Sequence, residues 1–190
     1  RVYQATLQEG RPEAIRMITP SVRLQPGDRL VSFHAGADAT QVTLFWNIVR
    51  ADGEFQTWMT SNRPGAEQWP PPAQMRITIS DQPYETGFNG GAGQQAALED
   101  DSLSGVSLSW TAPMPGQFDT LVVAAQVEDA LAVVYLRGGD VVGYQRVASL
   151  AQPGLIGLPT LATDRNRHLY LAWSQPTDDG FAHLYLTTTR

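Results

Sequence analysis

Histidines and carboxylates are the residues of this chain best suited to proton transfer or metal ligation, so their spacing decides how much chemistry the sequence supports. His34, His168 and His183 are far apart, and each lies in a strand-like run. Packing or surface polarity accounts for them without a metal. Asp38, Glu54, Asp119, Glu128 and Asp164 offer a pool from which a glycosidase pair could be drawn, but that mechanism needs two carboxyls about 5 to 9.5 Å apart in space. Glu99-Asp100-Asp101 carries the hard oxygen ligands calcium prefers and lacks the ordered spacing of a calcium loop. A solvated loop, with no metal, is the expectation there. Asn89 to Gln95, NGGAGQQ, has the glycines of a phosphate loop without its Lys-Ser/Thr ending or a helix clearly following. No Gly-x-Ser-x-Gly elbow supports a serine nucleophile. No cysteine is present, which excludes disulfides, thiolate zinc sites and cysteine nucleophiles. No catalytic residue and no cofactor is expected.

Binding has better candidates. Trp69 in WPPP and Trp110 in WTAPMP stand beside proline-rich turns, where a ring can present a face to a sugar or a proline-rich partner. Arg23, Arg29, Arg76, Arg137, Arg146, Arg165 and Arg167 are available for an anionic group, and Arg137 joins the two tryptophans as the expected ligand-binding set. By contrast Trp46, Trp58, Tyr135, Trp173 and Tyr185 recur at strand positions, where large aromatics most simply supply inter-sheet core. All 13 basic residues are arginine, and against 19 acidic residues they leave a net charge of −6. That balance argues against nucleic acid, whose binding normally needs a basic face. No apolar run reaches the roughly 18 residues of a membrane-spanning helix.

The elements that must position these residues read as β throughout. Short runs rich in Val, Leu, Tyr, Trp and Thr alternate with Gly, Pro, Asn and Asp. Thirteen strands are expected: 1–7, 14–20, 29–35, 41–49, 54–61, 75–80, 105–112, 120–127, 131–137, 141–149, 159–164, 168–174 and 183–189. Residues 81–104 are glycine-rich, polar and acidic, and predict a long loop or insertion with one helical turn at QQAALED. Within a single domain over 1–190, such a pattern suits a propeller, a barrel or a two-sheet sandwich.

An internal repeat narrows the choice. VTLFWNIVRADGEFQTWMTS and LYLAWSQPTDDGFAHLYLTT align without a gap, placing Trp46 on Trp173, Gly53 on Gly180 and Trp58 on Tyr185. Each copy predicts an antiparallel hairpin with a glycine turn. LAVVYLRGGDVVGYQRVAS gives a shorter version around Tyr135, and VSLSWTAPMPGQFDTLVVAA a looser one around Trp110. A register through Trp46, Tyr135 and Trp173 fits four-stranded blades of roughly 40 to 45 residues. One through Trp46, Trp110 and Trp173 favours a sandwich or jelly roll.

The run LFWNIVRADGEFQTWMTSNRPGAEQWPPP resembles a blade of the sialidase-type propellers, whose Asp-box turns read Ser-x-Asp-x-Gly-x-Thr-Trp. Ser61 and Gly65 keep their spacing, while Arg63 replaces the aspartate, Glu67 replaces the threonine, and Trp69 arrives one residue late. The resemblance implies a propeller or partial propeller of about four blades, in which the box braces a rim turn and its tryptophan packs between blades. The family's catalytic arginines, Tyr-Glu pair and aspartic acid find no motif here, and none is carried over.

The resulting expectation is a non-catalytic recognition module for a glycan or protein ligand, with a fragment of a sialidase-like glycoside hydrolase as the alternative. RVYQATLQEG carries no cleavable secretion signal. Arg1 in place of an initiator methionine and the strand-like close at HLYLTTTR suggest a piece of a longer protein. The resemblance, together with the missing start, implies that this protein is secreted or at the cell surface.

Overall fold

A computed structural model describes residues 3–9, 11–17, 24–66, 68–84, 93–98, 106–115, 120–127, 129–150, 159–166, 168–178 and 180–189. Fifteen strands and no helix occur among them. The strands are β1 (Tyr3–Gln8), β2 (Arg11–Met17), β3 (Arg29–Ala37), β4 (Val42–Val49), β5 (Phe55–Asn62), β6 (Ala73–Gln74), β7 (Arg76–Tyr84), β8 (Gly93–Leu98), β9 (Val106–Pro115), β10 (Leu121–Val127), β11 (Ala130–Arg137), β12 (Asp140–Ser149), β13 (Thr160–Thr163), β14 (Leu169–Pro176) and β15 (Ala182–Thr188). The chain is therefore all-β, and its ladders are antiparallel.

Two strands depart from the sequence reading. The segment expected to turn helically is β8, because Gln94 and Gln95 pair with Tyr144 and Gly143 on one side while Ala96, Ala97 and Leu98 pair with Ile79, Thr78 and Ile77 on the other. Cross-strand partners on both flanks override a local composition that looks helical. Residues 81–84 likewise continue β7 instead of opening a loop. The remainder of that stretch, 85–92 and 99–104, lies outside the described residues, and with it Asn89 to Ala92 and the Glu99-Asp100-Asp101 run. The other addition, β6, is two residues long and pairs with Trp58 and Met59.

Meanders stand on either side of a central set. The order β3-β4-β5-β6 follows the sequence, as does β13-β14-β15, while β1 and β2 pair separately. Neighbour order in the central set is cyclic, β10-β11-β12-β8-β7-β9. Two of its seams, β12 to β8 and β7 to β9, consist of two residue pairs each. The long ladders run across β9-β10-β11-β12, and β7-β8 forms a hairpin beside them.

Burial explains why β10 and β11 are apolar without alternation. Every residue from Leu121 to Val127 and from Ala130 to Leu136 is buried. One face, with Val123, Ala125, Val134 and Leu136, packs with Phe45, Met59, Met75 and Ile77. The opposite face, with Val122, Leu131, Val133 and Tyr135, packs with Leu161, Leu169, Leu171 and Trp173. A strand covered on both sides has no use for a polar face, and each Val or Leu so enclosed contributes about 1.5–3 kcal/mol of apolar transfer.

The internal repeat is a structural one. Trp46 lies opposite Trp58, and Trp173 opposite Tyr185. Both hairpins close through the same pair of bonds: Arg50 N–H to Glu54 C=O and Gly53 N–H to Arg50 C=O in the first, Thr177 N–H to Phe181 C=O and Gly180 N–H to Thr177 C=O in the second. Gly53 and Gly180 take φ of 91° and 81°, the left-handed residue that ends a three-residue hairpin loop. The version around Tyr135 differs. Its two-residue turn has both glycines, Gly138 and Gly139, at positive φ, and its register places Gly143 opposite Tyr135.

Candidate binding surface

Two of the three sequence-derived binding candidates, Trp69 and Arg137, have described side chains. Trp69 leans on Leu44 and Trp46 and is half-buried, with its indole N–H enclosed and unbonded. Arg137 is exposed at the end of β11, in the central set. Trp110 lies in β9, and its side chain is outside the described residues, as are Asp119, Glu128, Arg23 and Arg167.

The turn after β5 is braced by Asn62, a residue the sequence did not single out. Its side-chain amide donates to Gln68 C=O at 2.5 Å and its carbonyl oxygen accepts the N–H of Arg63 at 2.7 Å. Ala66 N–H closes the turn on Arg63 C=O, with Gly65 at φ 78°. Asparagine is suited to this role because its short side chain can hydrogen-bond nearby backbone.

Two of the titratable candidates, Asp164 and Asp38, are committed to turns. Asp164 accepts the backbone N–H groups of Asn166 and His168, contacts His168 Nδ1 at 2.9 Å, and accepts the Tyr170 hydroxyl. The His168 side-chain bond chiefly holds its carboxyl below the usual carboxylate value. Asp38 is partly desolvated, which raises its pKa, and bonds from Thr40, Gln41 and Gly138 outweigh that burial and lower it. His34 sits in β3 with Nε2 enclosed and unbonded, and burial pushes its pKa down. Among the described residues no three His, Asp or Glu side chains gather for a metal ion.

A concave surface forms at the β3 end of the first meander. Arg29, Leu30, Val31, Val49 and Phe55 line an open depression of about 340 Å³. Its shape follows from a β-bulge. Leu30 pairs with Ile48 and Ser32 with Asn47, leaving Val31 as the extra residue. A bulge breaks strict alternation and re-aims side chains, and here successive Leu30 and Val31 are both solvent-exposed, at 51% and 42%. The sequence offered one sign of it: an apolar Leu-Val pair in a strand whose other face needed to be polar.

A polar buttress fixes the neighbouring turn. Arg50 binds Asp28 through Nη1 and Gln56 Oε1 through Nε, and its guanidinium lies 5.8 Å from the Trp58 ring centroid. Trp58 Nε1 donates to the same Gln56 oxygen. Asp28 also accepts the N–H groups of Gln25 and Ala51, and the Gln25 bond leads the lowering of its pKa. Gly27, at φ 92°, allows this close approach, since a β-carbon there would lie 2.8 Å from that of Ala51.

With this geometry the chain stands as an all-β protein with an open, largely apolar depression at the β3 end of its first meander. It matches no protein-family model, no curated protein and no solved structure. No helix among the described residues is long and apolar enough to cross a membrane.

Proposed function

We propose that the chain is a non-catalytic recognition module that binds a protein ligand through the bulged end of β3. The observation that carries this reading is the open depression in which four of the five lining residues are apolar and the fifth is Arg29. Such a surface suits an apolar side chain flanked by a carboxylate. It suits a glycan less well, since sugar hydroxyls require several placed polar groups. We place the module outside the cytoplasm, as part of a secreted or surface protein.

The same reading includes a propeller arrangement akin to the sialidase type. Blades related by rotation must turn opposite faces to their two neighbours. In support, the first meander meets the central strands through Phe45 and Met59, and the repeat-equivalent last meander meets them through Leu171 and Trp173, which lie on the other face of the aligned hairpin. A squat disc in small-angle scattering fits this arrangement, and a two-sheet sandwich gives a different envelope.

Selection of displayed peptides on the immobilised protein tests the function. The expected binders carry an apolar anchor next to Asp or Glu, and Val31→Asp should weaken them at least about tenfold, as loss of an interface anchor does. Binding confined to a glycan array would favour sugar recognition instead. Turnover of a fluorogenic sialoside would favour the hydrolase.

A further inference from the structure

The two copies of the repeated hairpin differ at one edge. In the first, the outer strand β5 is covered: β6 pairs with Trp58 and Met59, and Met75 N–H donates to Thr57 C=O at 2.7 Å. Thr57 and Met59 are also buried, Met59 in the core shared with the central strands. The aligned residues of β15 are Leu184, Tyr185 and Leu186, and their exposures are 79%, 37% and 67%. β15 is the outer strand of its sheet.

Among the described residues no strand pairs with its backbone on that side. Thr189 and Thr177 bond to Leu169 and Phe181 across the hairpin, which fixes the alternation of the antiparallel ladder. Residues 183, 185 and 187 face β14, and the N–H and C=O groups of Leu184, Leu186 and Thr188 face outward. These positions correspond to Thr57, Met59 and Ser61 in the covered copy.

Chemistry selects the occupant. Natural sheet edges are protected by charge, proline or bulges. Phe181 to Thr189, FAHLYLTTT, contains no charged residue and no proline, and its ladder to β14 has no bulge. Among the other edges, β3 has Arg29 within it and Asp28 and Asp38 at its ends, β13 runs into Asp164 and Arg165, β2 carries Arg11, Glu13 and Arg16, and the ladder of β1 is interrupted by a bulge between Ala5 and Leu7. On a molecule of net charge −6, β15 is the edge where a like copy approaches without placing charge against charge.

We propose that β15 is a self-association edge, pairing antiparallel with β15 of a second copy about a twofold axis at Leu186. Leu184 of each copy then lies opposite Thr188 of the other, and the leucines form a continuous apolar stripe across both sheets. A twofold pairing uses the same edge of both partners, so the assembly closes at two. This inference does not depend on the β3 depression.

Sedimentation equilibrium on the intact chain, from micromolar to submillimolar concentration, tests it. The expected result is a reversible monomer–dimer equilibrium, with backbone amide exchange at 184–188 slowing as concentration rises. Leu186→Lys and, separately, Leu184→Lys should abolish the dimer with the circular dichroism spectrum intact, because both side chains are exposed. Leu30→Lys should leave it. A monomer at every concentration, a dimer that survives both β15 variants, or open-ended growth beyond two copies would each overturn the proposal.

Discussion

The carboxylate of Asp38 accepts the backbone N–H of Gly138 at 2.7 Å, although 100 residues separate them. The bond joins the β3–β4 turn to the β11–β12 turn, and so ties the first meander to the central set. The same carboxylate organises its own turn by accepting Thr40 N–H, Thr40 Oγ and Gln41 N–H. Beside it Gly139 packs on Ser61, where a β-carbon would lie 2.9 Å from that of Ser61.

Asp38→Ala should therefore destabilise the fold by about 1–2 kcal/mol, the scale of a charge-assisted bond at a partly solvated turn. Gly139→Ala should add a comparable loss, from a positive φ and from the clash with Ser61. Urea denaturation midpoints measure both. A double variant less destabilised than the sum would show that the two residues hold one contact.

Gly65 has φ 78°, and a β-carbon there would meet nothing within 4 Å. The cost of a side chain is backbone strain alone. Gly65→Val should lower stability by about 1–3 kcal/mol, and Gly65→Asn should recover most of it, because asparagine tolerates the left-handed region. Peptide binding at the β3 depression should be unchanged in both, as measured by titration calorimetry.

His34, Asp28, Asp38 and Asp164 all have pKa values lowered by folding. For each, the unfolded chain binds more protons across the window between the two values, so stability must fall as pH falls. His34 contributes a loss that begins near its unfolded value of 6.5, and the aspartates one that begins near 3.8. Melting temperature against pH should decline in two stages. His34→Gln should remove the upper stage and leave the lower one.

Much of this architecture is legible in the residues. The VTLFWNIV and LYLAWSQP runs, each with a tryptophan twelve residues ahead of a second aromatic and seven ahead of a glycine, specify two like hairpins, and both form, with Trp46 opposite Trp58 and Trp173 opposite Tyr185. Local alternation and turn chemistry suffice for that. Tyr185, expected in inter-sheet core, is instead exposed. The QQAAL strand was not legible, because its pairing with β7 and β12 comes from partners distant in sequence. The β3 depression was hidden for a related reason: the bulge at Val31 is a mismatch between two strands, and neither strand encodes it alone.

Side-chain period, glycine φ and short-range bonds are enough to specify an all-β chain, its turns and its duplicated hairpin, and all three are written in the residue order. Which faces of those hairpins are covered is a tertiary outcome. Thr57 and Leu184 hold equivalent places in the repeat, yet the threonine is buried under a neighbouring layer and the leucine is open to solvent. Burial depends on what packs against a strand, and that is set by the whole chain.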